Sequence, residues 1–197
     1  MRSFLSRSRH IVDTNYGTVR GVMRVLLGQI EYVLGRTEPY LHPRLQEIDR
    51  LVFVCLGNIN RSAFSEAVAR RLGIHTCSIG LSTTSGHPAF HKAIATAKPL
   101  GLGLSAHTAT DLSDYQFCST DLLLVMEIRH AHKLRAAGYP AASIALLGHW
   151  AVPHRIHLHD PHVLSDAYFR TCFSLLQSAV QGLAADLRAA GSPCVLR

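Results

Sequence analysis

Charge is scarce in this chain. Only 17% of its 197 residues are Asp, Glu, Lys or Arg, and no polybasic tract and no interleaving of basic with aromatic residues occurs. That shortage argues against a nucleic-acid binder built on a basic stripe. Cysteine is sparse and unpaired in pattern: Cys55, Cys77, Cys118, Cys172 and Cys194 are an odd number without C-x-x-C spacing. Such a set excludes a disulfide frame or a zinc site and points to reduced thiols in a cytoplasmic setting. No uninterrupted apolar run approaches bilayer length, and the basic start "MRSFLSRSRHIVD" has no apolar segment behind it. We therefore expect no secretory leader and no stable membrane insertion. Internal repeats and low-complexity segments are also missing.

What is present suffices for a packed core, since 48% of the residues are apolar. The net charge of +7 favours an anionic partner, and arginine, which supplies much of it, suits bidentate contacts to oxyanions. Residues 1–49 read as an extension holding one amphipathic helix. In "TVRGVMRVLLGQIEYVLGR" Val19, Val22, Met23, Leu26, Ile30, Val33 and Leu34 recur at helical spacing, and the prolines of "TEPYLHP" end it. Its apolar face is expected to pack on the rest of the chain or on a second copy, forming a homodimer.

Residues 50–197 alternate strand and helix signals. "LVFVC", "HTCSIGLS", "TDLLLVM" and "SIALLG" read as strands. "SAFSEAVARRLG", "PAFHKAIATAKPLG", "IRHAHKLRAAG" and the long "SDAYFRTCFSLLQSAVQGLAADLRAA" read as helices, the second of these opened by Pro88 and the last capped by Ser165. This order predicts an α/β fold with a parallel sheet covered on both faces. Ligands in such sheets bind beyond the carboxyl ends of the strands.

Cys55 stands at such an end. The five residues "LGNIN" separate it from Arg61, with Gly57 free to take unusual dihedrals and Asn58 tolerant of a left-handed one. A loop of this kind curls its backbone N–H groups inward at a helix start, which makes an anion cradle. Arg61 adds a planar fork that matches two phosphoryl oxygens. A positive field favours thiolate over thiol, and Ser62 can donate a hydrogen bond to the sulfur. The chemistry implied is attack by Cys55 on a bound tetrahedral dianion.

"VCLGNINRS" is similar to the phosphate loop of the low-molecular-weight protein tyrosine phosphatases, and the resemblance runs from about residue 50 to about residue 190. "STTSG", "SAHTATDL", "DLLLVM" and "HDPH" follow in the family's order. The resemblance implies a three-layer fold with a four-stranded parallel sheet, no cofactor and no metal. The phosphate is held by Leu56, Gly57, Asn58, Ile59, Asn60 and Ser62 together with Arg61. The nucleophile is Cys55, the general acid Asp160, and the loop is supported by Asn58, Ser82 and His107. Asp111, Asp114, Asp121 and Asp166 are read instead as caps or solvated turn residues. The expected activity is hydrolysis of a phosphorylated protein or a small phosphomonoester through a cysteinyl-phosphate, with no role for nucleic acid.

The pattern is broken in places. Asn60 stands where many members carry a second loop cysteine, and His162 and Val163 replace the aromatic residues that commonly follow the Asp-Pro. Phe90 and Trp150 are candidate replacements for the pocket wall. Four histidines, His154, His157, His159 and His162, sit close enough in sequence to raise a divalent metal as one reading and a polar rim as the other. Two rival functions remain: an arsenate reductase, which shares the fold but needs relay cysteines, and a catalytically weak phosphate-binding regulatory protein.

Overall fold

A computed structural model describes residues 2–195; Met1, Leu196 and Arg197, the outermost residues of the two expected segments, lie outside it. Four strands, β1 (Arg50–Cys55), β2 (Thr76–Gly80), β3 (Asp121–Val125) and β4 (Ile144–Leu146), form one parallel sheet in the order β2-β1-β3-β4. Six α-helices accompany them: α1 (Arg2–Tyr16), α2 (Val19–Val33), α3 (Arg61–Arg71), α4 (His91–Ala97), α5 (Ile128–Ala136) and α6 (Asp166–Ala189). The parallel sheet flanked by helices is as expected.

Alternation along each strand sorts the core into two layers. Leu51, Phe53 and Cys55 pack with Phe64, Phe169 and Phe173 beneath α3 and α6. Val52 and Val54 pack with Leu123, Val125, Ile128 and Leu134 on the α5 side, joined by Tyr40 and Leu41. Both faces of β1 are therefore apolar, which is why its sequence reads as an unbroken run. From β1 the chain crosses to β2 on one side and then to β3 on the other. The carboxyl end of β1 is thus the topological switch point of the sheet, where such folds open a crevice.

Three local expectations are corrected. The start of the chain forms a helix of its own, α1, which packs on α6 and α2. Its few apolar residues gave no period, and its partners lie far along the chain. The helix after Pro88 begins only at His91; Pro88 pairs instead with Thr108 in an antiparallel bridge. Asp121 is buried, not a solvated turn residue, because Arg50 reaches it at 2.8 and 2.7 Å and the Cys118 N–H donates to it at 2.8 Å.

Candidate active site

Cys55 ends β1 with 3% of its surface exposed. The loop beyond it turns at Asn58, whose φ of 52° makes it the left-handed residue. Asn58 is the residue that the sequence marked as tolerant of that conformation, and its short amide side chain bears the turn because it is bonded on every side; Gly57 is not left-handed. The Thr110 N–H donates to Asn58 Oδ1 at 2.8 Å, which fixes the orientation of the amide. Asn58 Nδ2 must then donate, to Ser62 Oγ at 2.9 Å and to Ser78 Oγ at 2.7 Å.

The polarity of the network follows. Ser78 accepts from Asn58, so its hydroxyl donates to Glu66 Oε2 at 2.6 Å. Ser62 accepts from Asn58 in the same way, which leaves its hydroxyl hydrogen for the Cys55 sulfur 3.0 Å away. The Asn58 N–H donates to that sulfur too, at 3.2 Å. Cys55 Sγ is arranged as an acceptor of two hydrogen bonds. Among the described residues the amides of Leu56, Gly57, Ile59 and Asn60 have no hydrogen-bond acceptor in the protein, and they lie at the N-terminal end of α3.

His107 Nε2 donates to the Asn58 carbonyl at 2.7 Å and so holds the loop from outside. Ser82 does not take the place expected for it. Its side chain is exposed, and only its backbone N–H serves the loop, donating to Leu56 O at 2.9 Å. Ser78 fills the role, because β2 turns it inward toward α3. Gly80 permits the approach of β2 to the loop: a Cβ there would lie 3.1 Å from Leu56 O and 3.2 Å from the Asn58 Cβ.

Arg61 opens α3 and is completely buried. Nη1 donates to Glu127 Oε1 at 2.6 Å and to Leu158 O at 2.8 Å, Nη2 donates to Asp160 Oδ2 at 2.7 Å, and Nε–H has no partner. Burial opposes the guanidinium charge, but Asp160 and Glu127 outweigh it, and Cys55 acts in the same direction. Glu127 is a site residue that sequence reasoning missed. It stands two residues beyond the end of β3, and its buried carboxylate also accepts from Arg129 Nε at 2.7 Å. Burial pushes its carboxyl up, but Arg61, Arg129 and the histidines pull it far below the ordinary carboxylate range. Its signal was its place: an acid just past a buried strand, on the edge where parallel sheets bind ligands.

Asp160 sits on the segment between β4 and α6. Leu158 N–H bonds to Met126 O at 3.0 Å, and Tyr168 OH donates to His159 O at 3.2 Å, so the segment is tied to the sheet and to α6. Asp160 Oδ1 accepts the His162 N–H at 3.1 Å. Burial raises its carboxyl, yet Arg61 and that N–H hold it below the usual value. Val163 follows with a φ of 56°, a strained conformation for a β-branched residue, and its side chain is 75% exposed.

The four histidines do not converge on one point, although the rings of His157 and His159 stack with centroids 6.2 Å apart. His154 lies beside the Tyr32 ring with centroids 4.9 Å apart, His157 Nε2 is 3.4 Å from Glu127 Oε2, and His162 Nδ1 is 3.4 Å from Asn60 Nδ2. Among the described residues no group of three or more His, Cys, Asp or Glu is placed to hold a metal ion. Phe90 meets His162 edge-on at 4.7 Å, and the two rings stand beside the loop. Trp150 is elsewhere, donating to Asp186 Oδ2 on α6 at 2.8 Å, because α6 offers its ring a groove at Gly182. Burial pushes the Cys77 thiol up to about 11 and the Cys172 thiol up to about 12, which suits them poorly to a thiol relay.

Comparison with known proteins bears directly on this geometry. Residues 50–192 match the family model described as low molecular weight phosphotyrosine protein phosphatase. The chain is 28% identical to the probable low molecular weight protein-tyrosine-phosphatase EpsP of Ralstonia nicotianae, over 73% of this chain and 99% of that protein. It is 31% identical to the low molecular weight protein-tyrosine-phosphatase Wzb of Escherichia coli K12, over 72% of this chain and 97% of the relative. The crystal structure of Wzb from Escherichia coli K30 in complex with sulphate superposes with a TM-score of 0.63 at 32% identity, covering 71% of this chain and 99% of that one. The matched region leaves residues 1–49 outside it.

Proposed function

The chain belongs to the low molecular weight phosphotyrosine protein phosphatase family and is a phosphatase, and from that premise we propose that it hydrolyses phosphotyrosine in proteins through a cysteinyl-phosphate. The observation that carries this reading is the double donation to Cys55 Sγ, from the Ser62 hydroxyl and the Asn58 N–H, at the mouth of a loop of unpaired amides.

The steps follow from the residues in place. The phosphoryl dianion enters the loop, where the amides of Leu56, Gly57, Ile59 and Asn60 and the free Nε–H of Arg61 donate to its oxygens. Cys55 Sγ forms a bond to phosphorus as the ester P–O bond breaks, and Asp160 gives its proton to the departing oxygen. The Asp160 carboxylate then takes a proton from water as that water attacks phosphorus. The S–P bond breaks, and inorganic phosphate and the Cys55 thiolate return. Phe90 and His162 form the wall against which an aromatic leaving group packs.

We place the catalytic unit at residues 50–197, with residues 1–49 as an appended segment, and we assign the protein to a reducing cytoplasmic compartment. Five free cysteines support that assignment. Among the described residues no helix is long and apolar enough to cross a membrane. For partners, we infer that a second copy covers α2. Val19, Met23, Leu26, Ile30 and Val33, spaced alternately four and three apart, are each more than half exposed.

The test is Cys55→Ser on p-nitrophenyl phosphate. Hydrolysis that vanishes while inorganic phosphate still binds supports the reading; a Cys55→Ser protein with wild-type turnover refutes it.

A further inference from the structure

The segment that precedes the matched region is built into the site. α2 turns one face toward the chain that carries Asp160. Gly28 approaches so closely that a Cβ there would lie 3.2 Å from the His157 Cβ, and a Cβ at Gly21 would lie 2.9 Å from His159 Cδ2. Arg155, on the same approach to Asp160, donates to Asn15 O at 2.7 Å and lies 4.9 Å over the Tyr16 ring. Arg24 stands three residues after Gly21 and four before Gly28, on that same face of the helix. Its Nη1 is 3.6 Å from Glu127 Oε2. The other oxygen of Glu127 accepts from Arg61 Nη1 at 2.6 Å.

We propose that the N-terminal helical pair is a working part of the phosphatase site, with Arg24 a positioning residue that acts on Arg61 through Glu127. The proposal rests on the phosphatase reading above. A buried carboxylate facing a single guanidinium would hold it tightly and leave it little freedom to meet a substrate. Here Arg24 shares the charge of Glu127 from the Oε2 side, and Arg129 bridges both oxygens, Nε donating to Oε2 at 2.7 Å and Nη2 to Oε1 at 3.0 Å, so Arg61 is oriented by Oε1 yet remains available to the incoming dianion. Loss of Arg24 tightens the Glu127–Arg61 pair and removes one cation from the neighbourhood of the phosphate. Both changes weaken dianion binding. The glycine contacts act on the acid: α2 backs the His157–His159 stretch, so a wedge there displaces Asp160.

Full-length Arg24→Ala, Arg24→Gln, Arg24→Lys and Gly28→Leu proteins test this. The measurements are the inhibition constant of inorganic phosphate, the ratio of kcat on phenyl phosphate to kcat on p-nitrophenyl phosphate, and the melting temperature. Arg24→Ala and Arg24→Gln are expected to raise the phosphate inhibition constant about threefold to tenfold, with Arg24→Lys restoring most of it. Gly28→Leu is expected to lower turnover of phenyl phosphate, the poorer leaving group, more than that of p-nitrophenyl phosphate. Should Arg24→Ala fail to fold, Arg24→Gln, which keeps the first three carbons of the side chain and a polar end without the charge, carries the comparison. Folded variants with wild-type phosphate inhibition and an unchanged leaving-group ratio overturn the proposal, as does a fall in melting temperature with no kinetic change. A wild-type protein that neither hydrolyses the esters nor binds phosphate overturns both this proposal and the phosphatase reading. Wild-type activity with silent Arg24 variants overturns this one alone.

Discussion

Arg61 Nη2 donates to Asp160 Oδ2 at 2.7 Å, so the proposed phosphate ligand and the proposed acid are paired to each other in the free protein. The pair favours the ionised carboxylate, and protonated Asp160 is a minority form that becomes scarcer as pH rises. A dianion that draws Arg61 toward itself removes the partner that lowers the Asp160 carboxyl, and the acid form becomes accessible as substrate binds.

Asp160→Asn is expected to cut kcat on phenyl phosphate by about 10²- to 10⁴-fold, and on p-nitrophenyl phosphate by much less, because the better leaving group departs without a proton. The wild-type kcat/KM should fall as pH rises from acid toward neutral, and the substitution should flatten that limb. A pH–rate profile on both esters checks the point; equal losses on the two would remove Asp160 from the acid role.

Loop support separates two serines that the sequence did not. Ser78→Ala breaks the chain from Asn58 to Glu66 and leaves a buried amide hydrogen without an acceptor, a loss of about 1–3 kcal/mol. Asn58 then holds Ser62 less firmly, so kcat/KM should fall with stability. Ser82→Ala removes an exposed hydroxyl and leaves its N–H bond to Leu56 in place, so both quantities should stay near wild type. Denaturant unfolding and steady-state kinetics on the two variants decide between them.

This contrast shows what was legible in the chain. β1 and its loop could be read because burial on both faces of a central strand leaves an unbroken apolar run, and the loop beyond it needs a nucleophile, amides and a guanidinium at fixed spacing. Ser78 could not, since one strand serine looks like any other until the sheet aims it at Glu66. Glu127 was hidden because its partner Arg61 lies 66 positions away in sequence. α1 was missed because its stability comes from α6 and α2 and not from an apolar stripe of its own.

Acid should unfold the protein earlier than its carboxylates alone would require. Burial, only partly opposed by Glu127, lowers His157 to about 4, and burial together with Arg61 lowers His130 to about 3. In the unfolded chain both take up protons near their ordinary value of 6.5. Between that pH and the folded values the unfolded state binds more protons, so stability declines as pH falls through the window. At pH 5 each histidine costs roughly 2 kcal/mol relative to pH 8. Urea unfolding at pH 8, 6 and 5 measures the slope, and His157→Gln should make it shallower. A wild-type stability that is flat across these values would show that the two histidines are not held neutral by the fold.

The stripe on α2 predicts an oligomeric state. Leu26 and Ile30 are each 53% exposed and Val33 is 81% exposed, while Gly21, Arg24 and Gly28 face the other way into the molecule. The stripe of Val19, Met23, Leu26, Ile30 and Val33 contains no charged residue, so a second copy would meet it without burying an unpaired charge. Spacing of alternately four and three residues is the seam of a left-handed helix pair, and a twofold axis through Leu26 lets each helix supply the same side chains. With 15 residues in the helix the seam is only about two heptads long, so the dimer should be reversible and dependent on concentration. Light scattering should show a mass that rises from monomer toward dimer with protein concentration. Leu26→Asp and Ile30→Asp should hold the protein as a monomer that still hydrolyses p-nitrophenyl phosphate, because neither side chain faces His157, His159 or Glu127. A wild-type protein that stays monomeric at every accessible concentration would leave the stripe to some other partner.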